Sequence, residues 1–534
     1  MAPPVPLRAV ADGAGDGREP SPRVAIITLG CGRNEVDSEQ LAGVFHREGS
    51  EVVDDPATAD VVLVNTCTFI APAKQESIDT VLAACQLKER DARAVLVVGC
   101  MAQRYPQELA DAIPEADAVV GFEGYPRLPE IVADVLSGRV TDRVLGVAPA
   151  HPGSRPASPA RRDLPLLLAP APGPVADDEA TAGTAAAPFG SGPDHASGQD
   201  DLDRIPASGP RFPVRHLGPG TGPRSWAYLK IASGCDRVCT FCAIPSFRGR
   251  FRSRPVDELV AEARWLAGQG VRELVLVSEN TTSYGKDLPG GRALQPRLLE
   301  ALAEVEGIER LRLMYLQPAE LTDELVRVIA EHPRVASYFD LSLQHVSAPV
   351  VARMGRSGDH ERFAALMARA RELDPGAVFR SNFILGFPGE TDDDVARLER
   401  FLTEQQLDWA GFFTFSVEDG TPSATMDAQV PVVTALERLR QVSEVQERVA
   451  DAAARRFVGR RLEVLVDEVD DLGGSVGRTY REAPDTDGEV TLLAPDGSPA
   501  SLPVGRVVTA RVLDSVGVDL VAEVDRATAG DDGG

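Results

Sequence analysis

Cys235-Asp236-Arg237-Val238-Cys239-Thr240-Phe241-Cys242 places three thiols within eight residues, spaced by three residues and then two. Thiolates are the ligands that iron–sulfur clusters take, and a four-iron cubane needs one ligand per iron. Three local cysteines with no fourth beside them therefore point to a cluster with one iron left open for another ligand. A zinc knuckle or a redox pair is the plainer alternative. Zinc sites usually come as two cysteine pairs or as pairs completed by histidine, and the sequence around Cys235 has neither.

A second group of cysteines follows a different pattern. The apolar runs at 24–29, 61–66 and 94–99 are rich in β-branched residues and alternate with helical segments, which predicts a parallel sheet covered on both faces. Each run ends beside one cysteine: Cys31, Cys67 and Cys100. Carboxyl ends of parallel strands share one rim, where open α/β sheets bind ligands. Three thiols on that rim would make a second three-cysteine site, although each cysteine taken alone reads better as a small buried residue. Cys85 lies in a helical stretch away from any strand end and reads as core packing.

The chain has 534 residues, too many for one core, and about three domains are expected. Residues 1–22 are rich in Pro and Gly and lack the apolar centre of a signal peptide, so a disordered start is expected. The parallel domain spans 23–145. Residues 146–222 are dominated by Pro, Ala, Gly and Asp, and predict a flexible linker. Seven cysteines in such a length do not make a disulfide framework, and thiolate ligands fit a reducing cytoplasm. No apolar run reaches the length of a membrane span.

From 223 to 456 strand and helix runs alternate again, which favours a complete or partial (β/α) barrel with its chemistry at the carboxyl ends of the strands. Glu279, Asn280, Gln317, Gln344, His345, Arg380, Ser381 and Asn382 are the polar groups near those strand ends. Arg248, Arg250, Arg252 and Arg254 alternate after the cysteine loop, either as a solvated strand or as contacts to an anionic ligand. Gly386 to Thr391 reads as a tight turn leading into a helix capped by Thr391. Beyond a charged helix, residues 457–525 read as short strands forming a small antiparallel barrel, followed by a disordered tail at 526–534. From 461 onward the chain has sixteen Asp and Glu against six Arg, within a whole-chain charge of −26. That sign disfavours gripping a phosphate backbone and suits a basic protein partner.

With Gly30-Cys31-Gly32-Arg33-Asn34-Glu35-Val36-Asp37-Ser38-Glu39, Asn65-Thr66-Cys67-Thr68-Phe69-Ile70 and the run from Cys242 to Arg254, the chain resembles the radical S-adenosylmethionine (SAM) methylthiotransferases. It is most similar to their protein-modifying branch. Gly32-Arg33 stands where Pro-Lys is usual and Thr68 where Gly is usual; neither change removes a cysteine. The resemblance implies an amino-terminal auxiliary-cluster domain, a radical-SAM partial barrel and a carboxyl-terminal TRAM barrel. It implies two [4Fe–4S] clusters, one on Cys235, Cys239 and Cys242 that binds and reductively cleaves SAM, the other on Cys31, Cys67 and Cys100 that carries sulfur. The implied reaction methylthiolates the β-carbon of an aspartate in ribosomal protein uS12, with SAM as both radical source and methyl donor. An electron donor such as flavodoxin or ferredoxin and a sulfur source would serve it. Glu279, Gln344 and Arg380 are the expected SAM contacts, and Phe241 either shields the cluster or packs. The alternatives are a tRNA adenosine methylthiotransferase, disfavoured by the acidic last domain, and a non-catalytic iron–sulfur scaffold, which would not need two differently built sites.

Overall fold

The structure, a computed structural model, describes residues 21–147, 215–217, 224–291, 294–470 and 472–526. Most of the expected disordered start, linker and tail (1–20, 148–214, 218–223 and 527–534) lies outside the described residues.

Strands β1 (Arg23–Thr28), β2 (Glu51–Val52), β3 (Val61–Thr66), β4 (Ala94–Val98), β5 (Ala118–Val120) and β6 (Val144–Leu145) form one parallel sheet in the order β2-β1-β3-β4-β5-β6. Val61 to Val64 are each fully buried, because successive side chains meet different layers. Val61 and Leu63 pack with Leu41 and Phe45 of α1 (Gly32–Arg47), whereas Val62 and Val64 pack with Ile78 and Val81 of α2 (Ala71–Gln86). The central strands β1, β3 and β4 are direct neighbours, so the loops at their carboxyl ends are too.

After the gap the chain builds a partial barrel. β7 (Trp226–Lys230) leads into a two-strand ribbon, β8 (Ala232–Ser233) with β9 (Arg252–Ser253), which pinches the base of the cysteine loop. Then come β10 (Glu273–Val277), β11 (Arg310–Leu313), β12 (Tyr338–Gln344), β13 (Val378–Leu385) and β14 (Trp409–Thr414). β7, β10 and β11 form one parallel sheet and β12, β13 and β14 another. Parallel bridges Leu311 to Val335 and Leu316 to Leu341 join them into six strands. Their outer faces share one core with the surrounding helices, including Leu274, Leu276, Phe339, Phe379, Phe383 and Leu398. Thr391 caps the helix Asp392–Gln405 as predicted, in a reciprocal box with Asp394.

β15 (Arg461–Val469), β16 (Ser475–Arg478), β17 (Val490–Leu493), β18 (Val507–Val516) and β19 (Asp519–Val524) close a small barrel in the order β15-β16-β17-β19-β18. One pair departs from the antiparallel expectation: β17 and β19 run parallel, because the β18–β19 hairpin returns to seal the barrel. This unit is bonded to the underside of the six-stranded barrel by buried ion pairs. Glu273 accepts from Arg312 at 2.7 Å and from Arg478 at 3.0 Å, and all three side chains are at most 6% exposed. Two of the last unit's arginines, Arg478 and Arg481, are buried, so their charge is withdrawn from its acidic surface.

Candidate two-centre active site

The strand order brings the three amino-terminal cysteines to neighbouring loops on one rim of the sheet. Cys31 follows β1 and caps α1, Cys67 follows β3, and Cys100 lies in the first turn of α3 (Gly99–Arg104) after β4. Asn34 ties their loops together. Its amide donates to the carbonyls of Leu29 at 2.8 Å and Thr66 at 3.2 Å, and its oxygen faces the Cys100 sulfur at 3.5 Å. Gly30 has φ +96°, and a Cβ there would lie 2.9 Å from the Cys67 sulfur. The tight loop therefore leaves space that only glycine keeps open.

Two guanidinium groups face these sulfurs. Arg33 donates to Cys31 Sγ at 3.4 Å and Arg248 to Cys100 Sγ at 3.1 Å. Burial opposes ionisation of Cys31, yet Arg33 and Arg248 bring its thiol below the ordinary range. Burial prevails at Cys67, pushed up to about 11, and at Cys100, raised despite Arg248.

Cys235, Cys239 and Cys242 occupy the loop between β8 and β9. Gly234 takes φ +80° because a Cβ would collide with the Arg250 carbonyl. Thr240 anchors the loop to the barrel, donating through its amide to Met354 O at 3.0 Å and through its hydroxyl to Arg353 O at 2.8 Å. Arg356 reaches Cys239 Sγ at 3.5 Å. Burial raises Cys235 and pushes Cys242 up to about 12. Phe241 packs edge-on against Phe387, in a cluster with Val350, Met354 and Phe415, so packing is the role its neighbours give it.

Glu279 joins the two halves. Its side chain, 1% exposed, lies 3.7 Å from Arg33 and 3.6 Å from Arg248, and neither carboxylate oxygen has a hydrogen-bond partner. Gln344 ends β12 at φ +67°, a left-handed conformation at the barrel mouth. Arg380 lies elsewhere. It is tied to Asp340 at 3.2 Å and to Asp487 of the last barrel at 3.3 Å, which directs its charge away from the strand ends. Among the four alternating arginines, Arg248 and Arg254 turn inward, the latter to Glu262 at 2.7 Å, while Arg250 and Arg252 are exposed. Cys85 is buried in the core between α2 and the sheet, with Val81 and Ala84.

Tyr315, Asp37 and Arg356 were not among the expected site residues. Asp37 pairs with Lys230 and, at 3.3 Å, with Arg248, linking α1 to the barrel. Tyr315 follows β11 at φ +61°, its amide donates to Asp340 at 2.8 Å, and its ring lies 5.3 Å from the Arg33 guanidinium. Asp37 stood in a quoted motif; the backbone of Tyr315 left no trace in its sequence.

Among the described residues, no three His, Cys, Asp or Glu side chains converge to hold a single metal ion. A cubane takes one thiolate per iron, so its ligands flank a volume instead of meeting at a point. The donors fit such a group: three thiols per site, arginine donors to their sulfurs, and a glycine keeping space open beside Cys67.

Fold and site together define a radical-SAM enzyme with a second three-thiol site in an amino-terminal domain. The model of the Radical SAM superfamily matches residues 229–402, that of the TRAM domain 458–524, and that of the uncharacterized protein family UPF0004 23–121. A ribosomal protein uS12 methylthiotransferase RimO of Streptomyces avermitilis is 46% identical, over 94% of this chain and 96% of its own. One of Salinispora arenicola is 48% identical, over 97% and 98%. The chain belongs to the RimO family of ribosomal protein uS12 methylthiotransferases. The radical SAM methyltransferase TsrM of Kitasatospora setae shares the fold, with a TM-score of 0.50 at 17% identity over 76% of this chain and 74% of that one.

Proposed function

We propose that the chain methylthiolates the β-carbon of an aspartate in ribosomal protein uS12, with Cys235, Cys239 and Cys242 holding one [4Fe–4S] cluster and Cys31, Cys67 and Cys100 the other. The observation that carries this reading is the pairing of two three-thiol sites across one buried interface, in a chain related over nearly its whole length to uS12 methylthiotransferases. When bound, the clusters supply the electron for SAM cleavage and the place of sulfur delivery.

The chain's own residues act by placement. Asn34 and Asp37 hold the cysteine loops of the sheet against Arg248 of the barrel. Glu279 offers two unbonded carboxylate oxygens to the donors of SAM, with Gln344 as a further contact at the strand ends. Arg380 acts one step back, through Asp340, on the backbone of Tyr315. Phe241, Phe387 and Phe415 keep water from the cysteine loop. An electron donor such as flavodoxin or ferredoxin and a sulfur source complete the system, in a reducing cytoplasm. No helix among the described residues is long and apolar enough to cross a membrane.

The test is anaerobic reconstitution with iron and sulfide, followed by SAM, dithionite and either uS12 or a tRNA anticodon stem-loop. Peptide mass spectrometry should find a methylthio group on an aspartate and none on adenosine. Modified adenosine with unmodified uS12 would replace this reading with the tRNA one.

A further inference from the structure

Two large apolar side chains stay exposed beside the thiol sites, Phe69 at 54% and Val417 at 59%. Phe69 stands two residues after Cys67, on the loop at the carboxyl end of β3, and Val417 three residues after the end of β14. They belong to different domains, yet their loops are fastened together at both ends. The Ala71 amide donates to Ser416 Oγ at 3.2 Å, and Arg104 donates to the carbonyls of Thr68 at 3.5 Å and Asp419 at 3.1 Å. The Arg104 guanidinium also lies 5.9 Å from the ring of Phe247, half-buried on the helix Ile244–Arg248 that follows Cys242. Phe69, Val417 and Phe247 therefore border one seam, where an element from each thiol site meets the rim of the barrel.

A single exposed apolar residue is ordinary, but two on loops that are bonded together beside a buried site mark a surface that a partner covers. The charges around it indicate which kind of partner. Lys74 and Arg104, 10% and 7% exposed, both bind Glu418, at 2.8 Å and 2.7 Å. A phosphate backbone needs cations that are free to take it, and these two are committed to a carboxylate. What the surface offers instead is an aromatic ring and a branched side chain, the groups that anchor a polypeptide through apolar contact. A peptide whose aspartate enters between the two thiol sites has to cross this rim.

We propose that Phe69 and Val417, with Phe247 at their edge, form the docking surface for the polypeptide substrate. They take up an apolar side chain next to the target aspartate and so set the aspartate over the seam between the two sites. The proposal rests on the uS12 methylthiotransferase reading.

The experiment measures anaerobic methylthiolation by reconstituted wild-type, Phe69→Ser, Phe69→Leu and Val417→Ser holoenzymes. The substrates are a uS12 loop peptide with the target aspartate and a second peptide with serine at the apolar positions beside it. Iron content, deoxyadenosine formation without peptide and binding of a tRNA anticodon stem-loop are measured on the same samples. Phe69→Ser should raise the KM for the first peptide by about tenfold, the scale of burying half a phenylalanine side chain, and Val417→Ser by about threefold. Phe69→Leu should stay within about threefold of wild type. The wild type should show the higher KM with the second peptide, and Phe69→Ser should treat the two peptides within about twofold of each other. Iron content and deoxyadenosine formation should hold in Val417→Ser and Phe69→Leu. An unchanged KM in both serine variants overturns the proposal, as does a loss of iron or of deoxyadenosine formation in Val417→Ser, which would make the surface a support of the sites. Weaker stem-loop binding in Phe69→Ser with an unchanged peptide KM overturns it too, in favour of base stacking. A wild-type enzyme that leaves the aspartate peptide unmodified refutes the functional reading itself, and the proposal with it.

Discussion

Gly30 and Glu279 are two residues whose roles follow from what surrounds them. A methyl group at Gly30 would press on the Cys67 sulfur at 2.9 Å, on a backbone at φ +96° that alanine resists. Gly30→Ala should therefore lose iron from the amino-terminal site alone, leaving about half the wild-type iron and intact reductive SAM cleavage. Iron analysis and deoxyadenosine formation check this. Glu279, with both oxygens unbonded beside two arginines, should matter to SAM. Glu279→Gln should raise the KM for SAM by about tenfold, the scale of one charge-assisted hydrogen bond, while the iron content holds. The six cysteines are candidate ligands on sequence grounds alone, because spacing marks one triad and the strand ends mark the other. Arg33 was visible only as a departure from Pro-Lys, since nothing in a linear motif says that its guanidinium will reach the Ser278 carbonyl, 245 residues away. Arg380 was legible as a polar group on a strand, but not its partner Asp487, which is 107 residues away.

At the scale of elements, the strands with continuous β-branched runs were legible almost to the residue, as with β3. β14 (Trp409–Thr414) was not, because Gly411 interrupts the run and only Trp409 of the strand is buried, so no continuous apolar stretch marks it. Its loop nevertheless joins the two thiol domains. Glu418, 4% exposed, accepts from Lys74 of α2 at 2.8 Å and from Arg104 of α3 at 2.7 Å. Removing one partner of a buried pair leaves the others uncompensated, at a cost of about 3–5 kcal/mol. Glu418→Ala should loosen the sheet domain from the barrel. Amide hydrogen exchange in α2 and α3 should rise while exchange in the last barrel does not. Uniform protection across both helices would show that the contact is dispensable.

For the whole molecule, the acidic last barrel is part of the enzyme's frame as well as its surface. Arg312, Arg478 and Arg310 outweigh burial at Glu273 and hold its carboxyl at about 2, below the usual 4.5. Because the folded state takes up that proton only at lower pH, the contribution is complete above about pH 4.5 and fades as pH falls towards 2. Glu273→Gln should lower the denaturation midpoint at pH 7, and the difference from wild type should shrink as pH falls through that window. A constant difference would mean that the ion pairs do not link the two barrels. The charge count of the last domain was legible in the sequence, but the burial of Arg478 and Arg481 was not, since it depends on which face of the small barrel meets the larger one.

The central claim is that two separate thiol triads each hold a cluster of their own. The most direct measurement is iron and sulfide content, with electron paramagnetic resonance of the reduced protein, for anaerobically reconstituted wild type and two triple variants. These are Cys31→Ala/Cys67→Ala/Cys100→Ala and Cys235→Ala/Cys239→Ala/Cys242→Ala. With one four-iron cluster per triad, the wild type should hold about eight irons and each variant about four. Only the first variant should still cleave SAM. A wild type with about four irons, or with zinc in their place, would contradict the account.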